Sequence, residues 1–503
     1  MVIRMKYVFL IAFVLLMITT GIIARKKVKN MDDFFLGGKN VGPWISAFSY
    51  GASYFSAVIF IGYAGKIGWD MGFSAIWIGV FNALIGTYLA WALLGKKTRE
   101  MTHKLKAKTM PEFFEKRYGS KNMKIFSALI IFIFLVPYSA SVYKGLGYLF
   151  ETAFNIPFIY VTLGMAALTG VYIILGGYVA TALNDFIQGI IMLVGAMVMF
   201  GYILSSPQVG GLSNAISNLA QVDAAKASLV GPHPVSLLGL IILTSLGTWG
   251  LPQMVHKFYT VKDDKGAIHK GKVISTIFAL VVGVCAYGTG SLSSLFFNAV
   301  PDGGNYDKIV PLMLIESAVP ELLLGLITVL VLSASMSTLA SLVLVSGSAI
   351  AIDLGKGVLY KNMSQKFEMN LMRVVCALFV VASFVLSISS PSAIVTLMSL
   401  SWGALAGCFI APFLYGLWSK KASVTGAWAS MITGLSVMVV CVVVLPAVSG
   451  SNPGGLIRFL SSAPNAGSLA MLLSLAVMPI VDHVKVASRT MAVAPAAEVE
   501  KAS

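Results

Sequence analysis

The chain has 503 residues, 57% of them hydrophobic and only 11% charged, with a net charge of +16 and a mean hydropathy of +0.87. Soluble domains carry roughly 25% charged residues. This composition, with many apolar runs near the ~20 residues that cross a bilayer, excludes a soluble enzyme, a secreted disulfide scaffold and a disordered chain.

In chain order, apolar segments fall near 7–24, 43–65, 74–94, 124–149, 158–175, 182–204, 235–256, 273–297, 310–350, 373–389, 393–417, 424–446 and 468–482. All are expected as helices, because an isolated run in lipid can satisfy its backbone only within itself. The ninth is long, and only 322–348 of it needs to cross. The first run has the length of a signal peptide, but its basic cluster (Arg25, Lys26, Lys27, Lys29) follows the apolar stretch instead of preceding it, so it reads as a retained span. The four cysteines lie in apolar stretches without close spacing and read as small buried hydrophobes.

The basic residues orient the chain. With the N-terminus outside, 29 of the 36 Lys and Arg fall in the cytoplasmic connections 25–42, 95–124, 257–272, 351–373 and 418–423 and in the tail from 483. Six lie outside and one, Lys144, within a span. That asymmetry predicts an N-out, C-in topology. The expected fold is an all-α membrane protein with thirteen transmembrane helices. Residues 1–485 form one membrane domain and 486–503 a cytoplasmic tail.

Two spans break the rules of a bilayer helix. The second contains Ser49-Tyr50-Gly51-Ala52-Ser53-Tyr54-Phe55-Ser56, and the seventh contains Thr244-Ser245-Leu246-Gly247-Thr248-Trp249-Gly250-Leu251-Pro252-Gln253. Counted from the second span, they are the first and sixth of ten, which are corresponding positions in a five-plus-five inverted repeat (43–204 and 235–417). The helix 7–24 precedes the repeats and two helices, 424–482, follow them. Paired interruptions of this kind point to a transporter's binding site at the membrane midplane; the alternative is that small residues simply permit close helix packing. The ninth span adds Ser333-Ala334-Ser335-Met336-Ser337-Thr338-Leu339-Ala340-Ser341, with hydroxyls on neighbouring helical faces. Carbonyls and hydroxyls together suit a small hard cation. Two charges sit inside spans, where they are costly. Lys144 reads either as a snorkelling lysine or as a charge partner. Asp185 reads either as an acid on a helix N-terminal dipole or as a cation ligand or proton relay.

These stretches resemble the sodium:solute symporter family, bacterial members near the proline and pantothenate carriers, whose fold is the leucine-transporter-type inverted repeat with discontinuous helices. The similar stretches are Phe34-Phe35-Leu36-Gly37-Gly38, Gly51-Ala52-Ser53, Leu175-Gly176-Gly177-Tyr178, Asn184 to Gly189, Gly250-Leu251-Pro252-Gln253 and Ala334 to Thr338. The resemblance implies sodium as coupling ion, held by carbonyls of Ala52, Phe55 and Ala334 and hydroxyls of Ser337 and Thr338. It implies a second cation at Asp185 and Ser341 in some relatives; Ala340 stands where those carry a serine, so one sodium is expected. Proline carriers have an acid at Tyr54 and tryptophans at Val58 and Thr244, which argues against proline here. Asn184 to Gly189 and Gly250-Leu251-Pro252 look most like pantothenate carriers. The substrate pocket is expected at Ser53, Tyr54, Ser56, Tyr138, Thr248, Trp249 and Gln253.

The expected function is sodium-coupled import of a small organic, carboxylate-bearing solute across a bacterial inner membrane by alternating access. A proton-coupled or ion-independent carrier of the same fold, and a solute sensor without turnover, are the alternatives. Neither a nucleic-acid partner nor an enzymatic motif is expected, and the oligomer is expected to be a monomer or weak.

Overall fold

Apolar runs this long resolve into helices. The computed structural model describes residues 5–25, 35, 41–262, 266–360, 362–450 and 454–499. Of the expected Phe34–Gly38 motif only Phe35 is among them, and 500–503 of the tail also lie outside. Among the described residues the one extended pairing is an isolated bridge between Val41 and Val261. Helix α1 is Met5–Arg25. The first broken span comprises α2, Pro43–Tyr54, and α3, 58–71. Then come α4 (76–105), α5 (Met110–Tyr118), α6 (Lys121–Phe154) and α7 (Phe158–Leu204). The second broken span is α8, Pro234–Gly250, with α9, Pro252–Thr260. After it follow α10 (Ala267–Ser291), α11 (Glu321–Leu359), α12 (Gln365–Ser389), α13 (Ile394–Trp418), α14 (Val424–Val448) and α15 (Ala463–Val499). Among the described residues nine helices are long and apolar enough to cross a membrane, or ten with the bent α8–α9 pair.

Both breaks have local causes. Helix α2 stops where Phe55 turns extended (φ −82°, ψ 129°). The carbonyl of Ser56 then accepts from the amides of Ile59 and Phe60, and its hydroxyl accepts from the Val58 amide, so Ser56 caps the helix that follows. Helix α8 stops where Leu251 is extended (φ −78°, ψ 122°), as expected of a residue before proline. Pro252 opens α9, where its missing N–H is harmless, and the two halves meet at 45°.

Burial separates inner from outer helices. The apolar windows of α11 and α13 are 83% and 89% buried, whereas that of α14 is only 22% buried and so faces lipid. Glycines let the inner helices touch backbone to backbone. A methyl group at Gly290 of α10 would fall inside the Ala64 carbonyl of α3, and one at Gly283 would lie 2.9 Å from the Cα of Gly79 on α4.

Three features differ from the sequence expectation. The seventh span does not end at 256: α9 continues to Thr260, and Lys257, assigned above to a cytoplasmic connection, is 1% exposed. Element α7 (158–204) is helical throughout, without a loop between the two expected spans, while Phe158–Val171 and Thr181–Leu204 remain separate apolar stretches. Its first turn lies against Gly147. Its last turn reaches Ser317 and Ala318 through Tyr202, while Tyr178, midway, bonds Thr260 at the far end of α9. Finally, α15 runs well past residue 482.

Candidate functional site

The break in α2 leaves carbonyls without helical partners, as at any helix C-terminus. Those of Ala52, Ser53 and Phe55 point at α11. Ser337 places its hydroxyl 2.8 Å from the Ala52 carbonyl, 3.0 Å from that of Ala334 and 3.1 Å from that of Ser333. Thr338 places its own hydroxyl 3.2 Å from the Ser53 carbonyl and 3.3 Å from that of Phe55. All these residues are buried. The structure thus gathers Ala52, Phe55, Ala334, Ser337 and Thr338 into one cluster, and adds the Ser53 carbonyl to it. Two hydroxyl protons are shared among five acceptors, so the cluster is rich in oxygen and poor in hydrogen. With the negative end of the α2 dipole aimed at the same point, its chemistry fits a small monovalent cation coordinated by neutral oxygens.

One turn away lies a charged knot. The Lys257 ammonium is 3.1 Å from a carboxylate oxygen of Asp185, 2.8 Å from the hydroxyl of Ser49 and 3.1 Å from that of Ser341. Ser49 also donates to Asp185, and Ser341 meets Ser53 at 2.9 Å. Asp185 and Ser341, paired in the sequence reading, are therefore together, with the amine of Lys257 between them. The sequence reading missed this lysine because it follows directly on the apolar run and counts as a loop charge. The acid in span 6 was the signal that a partner had to be found.

The residues expected to line a substrate pocket divide. Tyr54 and Tyr138 converge on Trp402 of α13, with ring centroids 5.5 Å and 5.8 Å from it, and Ser56 lies beside the Tyr138 hydroxyl. Gln253 is 1% exposed and its side-chain oxygen has no partner among the described residues. Ser53, Thr248 and Trp249 are engaged elsewhere. Ser53 meets Ser341. Thr248 donates to the Gly86 carbonyl at 2.8 Å, and the Trp249 indole donates to that of Ile85 at 3.0 Å. Both acceptors lie in the stretch Asn82–Leu89, which is wound as a π-helix. Thr248 and Trp249 thus fasten α8 to α4. Sequence reasoning missed Asn82, Tyr287 and Trp402. Tyr54 has Asn82 and Tyr287 as near neighbours, and the side-chain polar atoms of Asn82, Tyr287 and Trp402 are buried without hydrogen-bond partners among the described residues. A lone Asn in the apolar run 74–94 was the available sign.

Lys144 stands apart from this pocket. Its amine donates to the carbonyls of Ser390 at 2.6 Å and Ser392 at 2.8 Å, tying α6 to the turn between α12 and α13. A cleft of about 480 Å³ is lined by Lys66, Asp70, His233, Ser236, Thr396 and Asn465, among others. A smaller space, of about 10 Å³, lies between Phe35, Thr109, Pro252, His256 and Asp353.

An unwound span meeting an intact helix at an oxygen cradle defines a transporter of the broken-helix class. The family model for the sodium:solute symporter family matches residues 34–434, and the chain belongs to that family. Relatives include the osmoregulated proline transporter OpuE of Bacillus subtilis, 28% identical over 84% of this chain and 86% of its own. The sodium/proline symporter of Escherichia coli is 28% identical over 84% and 85%. In fold, a substrate-bound, outward-open Na+-coupled sialic acid symporter superimposes with a TM-score of 0.74 at 21% identity, covering 95% of this chain and 98% of its own. MHP1, a nucleobase-cation-symport-1 family transporter, gives 0.51 at 16% identity, covering 90% and 95%. Sodium is the coupling ion, and the protein is a multi-pass membrane symporter.

Proposed function

We propose that this protein imports a small carboxylate-bearing solute with sodium, by alternating access, across a bacterial inner membrane that it crosses thirteen times with its N-terminus outside. The oxygen cradle between α2 and α11 carries the reading. Sodium entering from the cleft satisfies the Ala52, Phe55 and Ala334 carbonyls and the Ser337 and Thr338 hydroxyls. It thereby fixes the unwound end of α2, on which Tyr54 and Ser56 present the solute pocket. Coupling of this kind is reciprocal: sodium tightens solute binding by the factor by which solute tightens sodium binding. An inside-negative potential adds about 2.3 kcal/mol per charge for each 100 mV. The contact of Lys257 with Asp185 and the path of α7, whose ends meet one side of the protein and whose middle meets the other, both suit the thirteen-span topology.

The solute class rests on the family and on the pocket. The relatives named above carry proline. Tyr54, Val58 and Thr244 stand here where the resemblance places an acid and two tryptophans in proline carriers, so the favoured solutes are other amino acids, monocarboxylates or pantothenate-like acids. Uptake into proteoliposomes tests this reading, with proline, pantothenate and short monocarboxylates offered in sodium and in sodium-free buffer across a pH series. Sodium-dependent accumulation of one acid is expected. Uptake driven by a pH gradient alone points to a proton-coupled carrier, and binding without counterflow points to a sensor; either outcome defeats the proposal.

A further inference from the structure

Lys257 is a fully buried charge that the sodium cradle does not use. Its ammonium tip has three N–H donors, and three oxygens receive them: Asp185 at 3.1 Å, Ser49 at 2.8 Å and Ser341 at 3.1 Å. The other carboxylate oxygen of Asp185 is buried without a partner among the described residues. With the lysine tip removed, what is left is one carboxylate and two hydroxyls facing a common centre, a donor set suited to an alkali cation. An alkali ion and an ammonium carry the same charge and cannot share so small a space, since two unit charges about 3 Å apart repel strongly in any protein interior.

We propose that the Lys257 ammonium is a built-in cation that fills a second monovalent-cation site formed by Ser49, Asp185 and Ser341, so that the chain couples one sodium ion to each solute. Asp185 and Ser341 belong to α7 and α11, whereas Ser49 and Lys257 belong to the two broken spans. The amine therefore does permanently what a second sodium would do only while bound: it draws α2 and α9 against α7 and α11. Its link to the cradle is short. Ser341 meets the Ser53 hydroxyl at 2.9 Å, and the Ser53 carbonyl accepts from Thr338. Being covalently held, this cation cannot leave with the solute, and it shifts only when α9 shifts.

This inference rests on the sodium-symport reading, and one measurement separates the two. Radiolabelled sodium binding to the purified full-length protein is expected to be hyperbolic, with one ion per chain, and to be weakened about ten- to a hundredfold in Ser337→Ala. No sodium binding in the unaltered protein would defeat the symport reading itself. In Lys257→Ala, or in Lys257→Met, which keeps the stem, binding is expected to rise to two ions per chain and to become sigmoidal, with a Hill coefficient moving from about one toward about two. The double variant K257A/D185N, lacking both charges, is expected to return to one. If neither single variant folds in choline buffer, sodium chloride supplied during purification is expected to recover them; failure of sodium to do so overturns the proposal. So do single variants that keep the one-ion isotherm, and so does a second ion bound by the unaltered protein.

Discussion

The hydroxyls of Ser53 and Ser341 meet at 2.9 Å across 288 positions of sequence. That contact joins two clusters that differ in kind, a neutral cradle at Ser337 and Thr338 and an ion pair at Asp185 and Lys257. Both hold the unwound end of α2 against α11. Disturbing either one therefore bears on the same interface.

Removing one hydroxyl from the cradle should weaken sodium without abolishing the fold. Hydrogen bonds and ligations to charged groups are worth roughly 1.5–3 kcal/mol, and each 1.4 kcal/mol is about tenfold in affinity. Ser337→Ala and Thr338→Ala are each expected to raise the sodium concentration for half-maximal uptake by about ten- to a hundredfold. Sodium titration of uptake in vesicles reads this directly, and unchanged half-saturation in both variants removes these residues from the sodium site.

The pocket should divide along the lines of its hydrogen bonds. Asn82→Ala and Tyr287→Phe alter buried polar groups that have no hydrogen-bond partner among the described residues, so they are expected to raise the solute concentration for half-maximal uptake while the protein remains as stable as before. Trp249→Phe removes the bond to Ile85. It is expected to lower the melting temperature in detergent without changing which solute is preferred. Competition by unlabelled acids against the transported one separates the two outcomes.

Much of this arrangement is legible in the sequence, and the exceptions have physical reasons. Gly51 to Ser56 and Gly250-Leu251-Pro252 mark the breaks because glycine and proline weaken a helix locally. Ser337 and Thr338 stand out because hydroxyls are dense there. Lys257 is not legible, since a lysine directly after an apolar run looks the same whether it points to water or toward Asp185, 72 positions earlier. Trp402 is hidden for the opposite reason: an aromatic in a buried span counts as ordinary core until Tyr54 and Tyr138 are seen beside it. Thr248 and Trp249 lie at the break, yet the π-wound turn of α4 that claims them leaves no pattern in the sequence.

Asp307 should confer a pH dependence on stability. It lies in the connection between α10 and α11, where its carboxylate accepts from the Ile394 amide at the start of α13. Burial pushes its carboxyl up to about 6 from 3.8, against the pull of the Ile394 amide and of Lys144 and Lys66. A carboxyl raised on folding binds its proton more tightly in the folded state, so stability falls as pH rises from 3.8 toward 6 and is lowest above that window. Melting temperature is therefore expected to rise as pH is lowered from 7 to 5, and the part of that rise due to this carboxyl should vanish in Asp307→Asn. An identical profile in the variant assigns the effect to other groups.

Glycine contacts give a test independent of transport. Gly290→Ala places a methyl group inside the Ala64 carbonyl, whereas Gly164 has nothing among the described residues within 4 Å of where its methyl would lie. Overpacking of this kind costs about 1–3 kcal/mol or more. Gly290→Ala is expected to cut the yield of folded protein and to lower its melting temperature, and Gly164→Ala to leave both unchanged. Equal behaviour of the two variants counts against the close approach of α3 and α10.

That approach also says where the molecule can flex. With main chain pressed on main chain at Ala64, Gly68 and Gly290, and again between Gly79 and Gly283, the helices α3, α4 and α10 have no slack to slide past each other. They must travel as a single slab, and the pivot is left to the uncoiled residues Phe55 and Ser56, where the cradle carbonyls also lie.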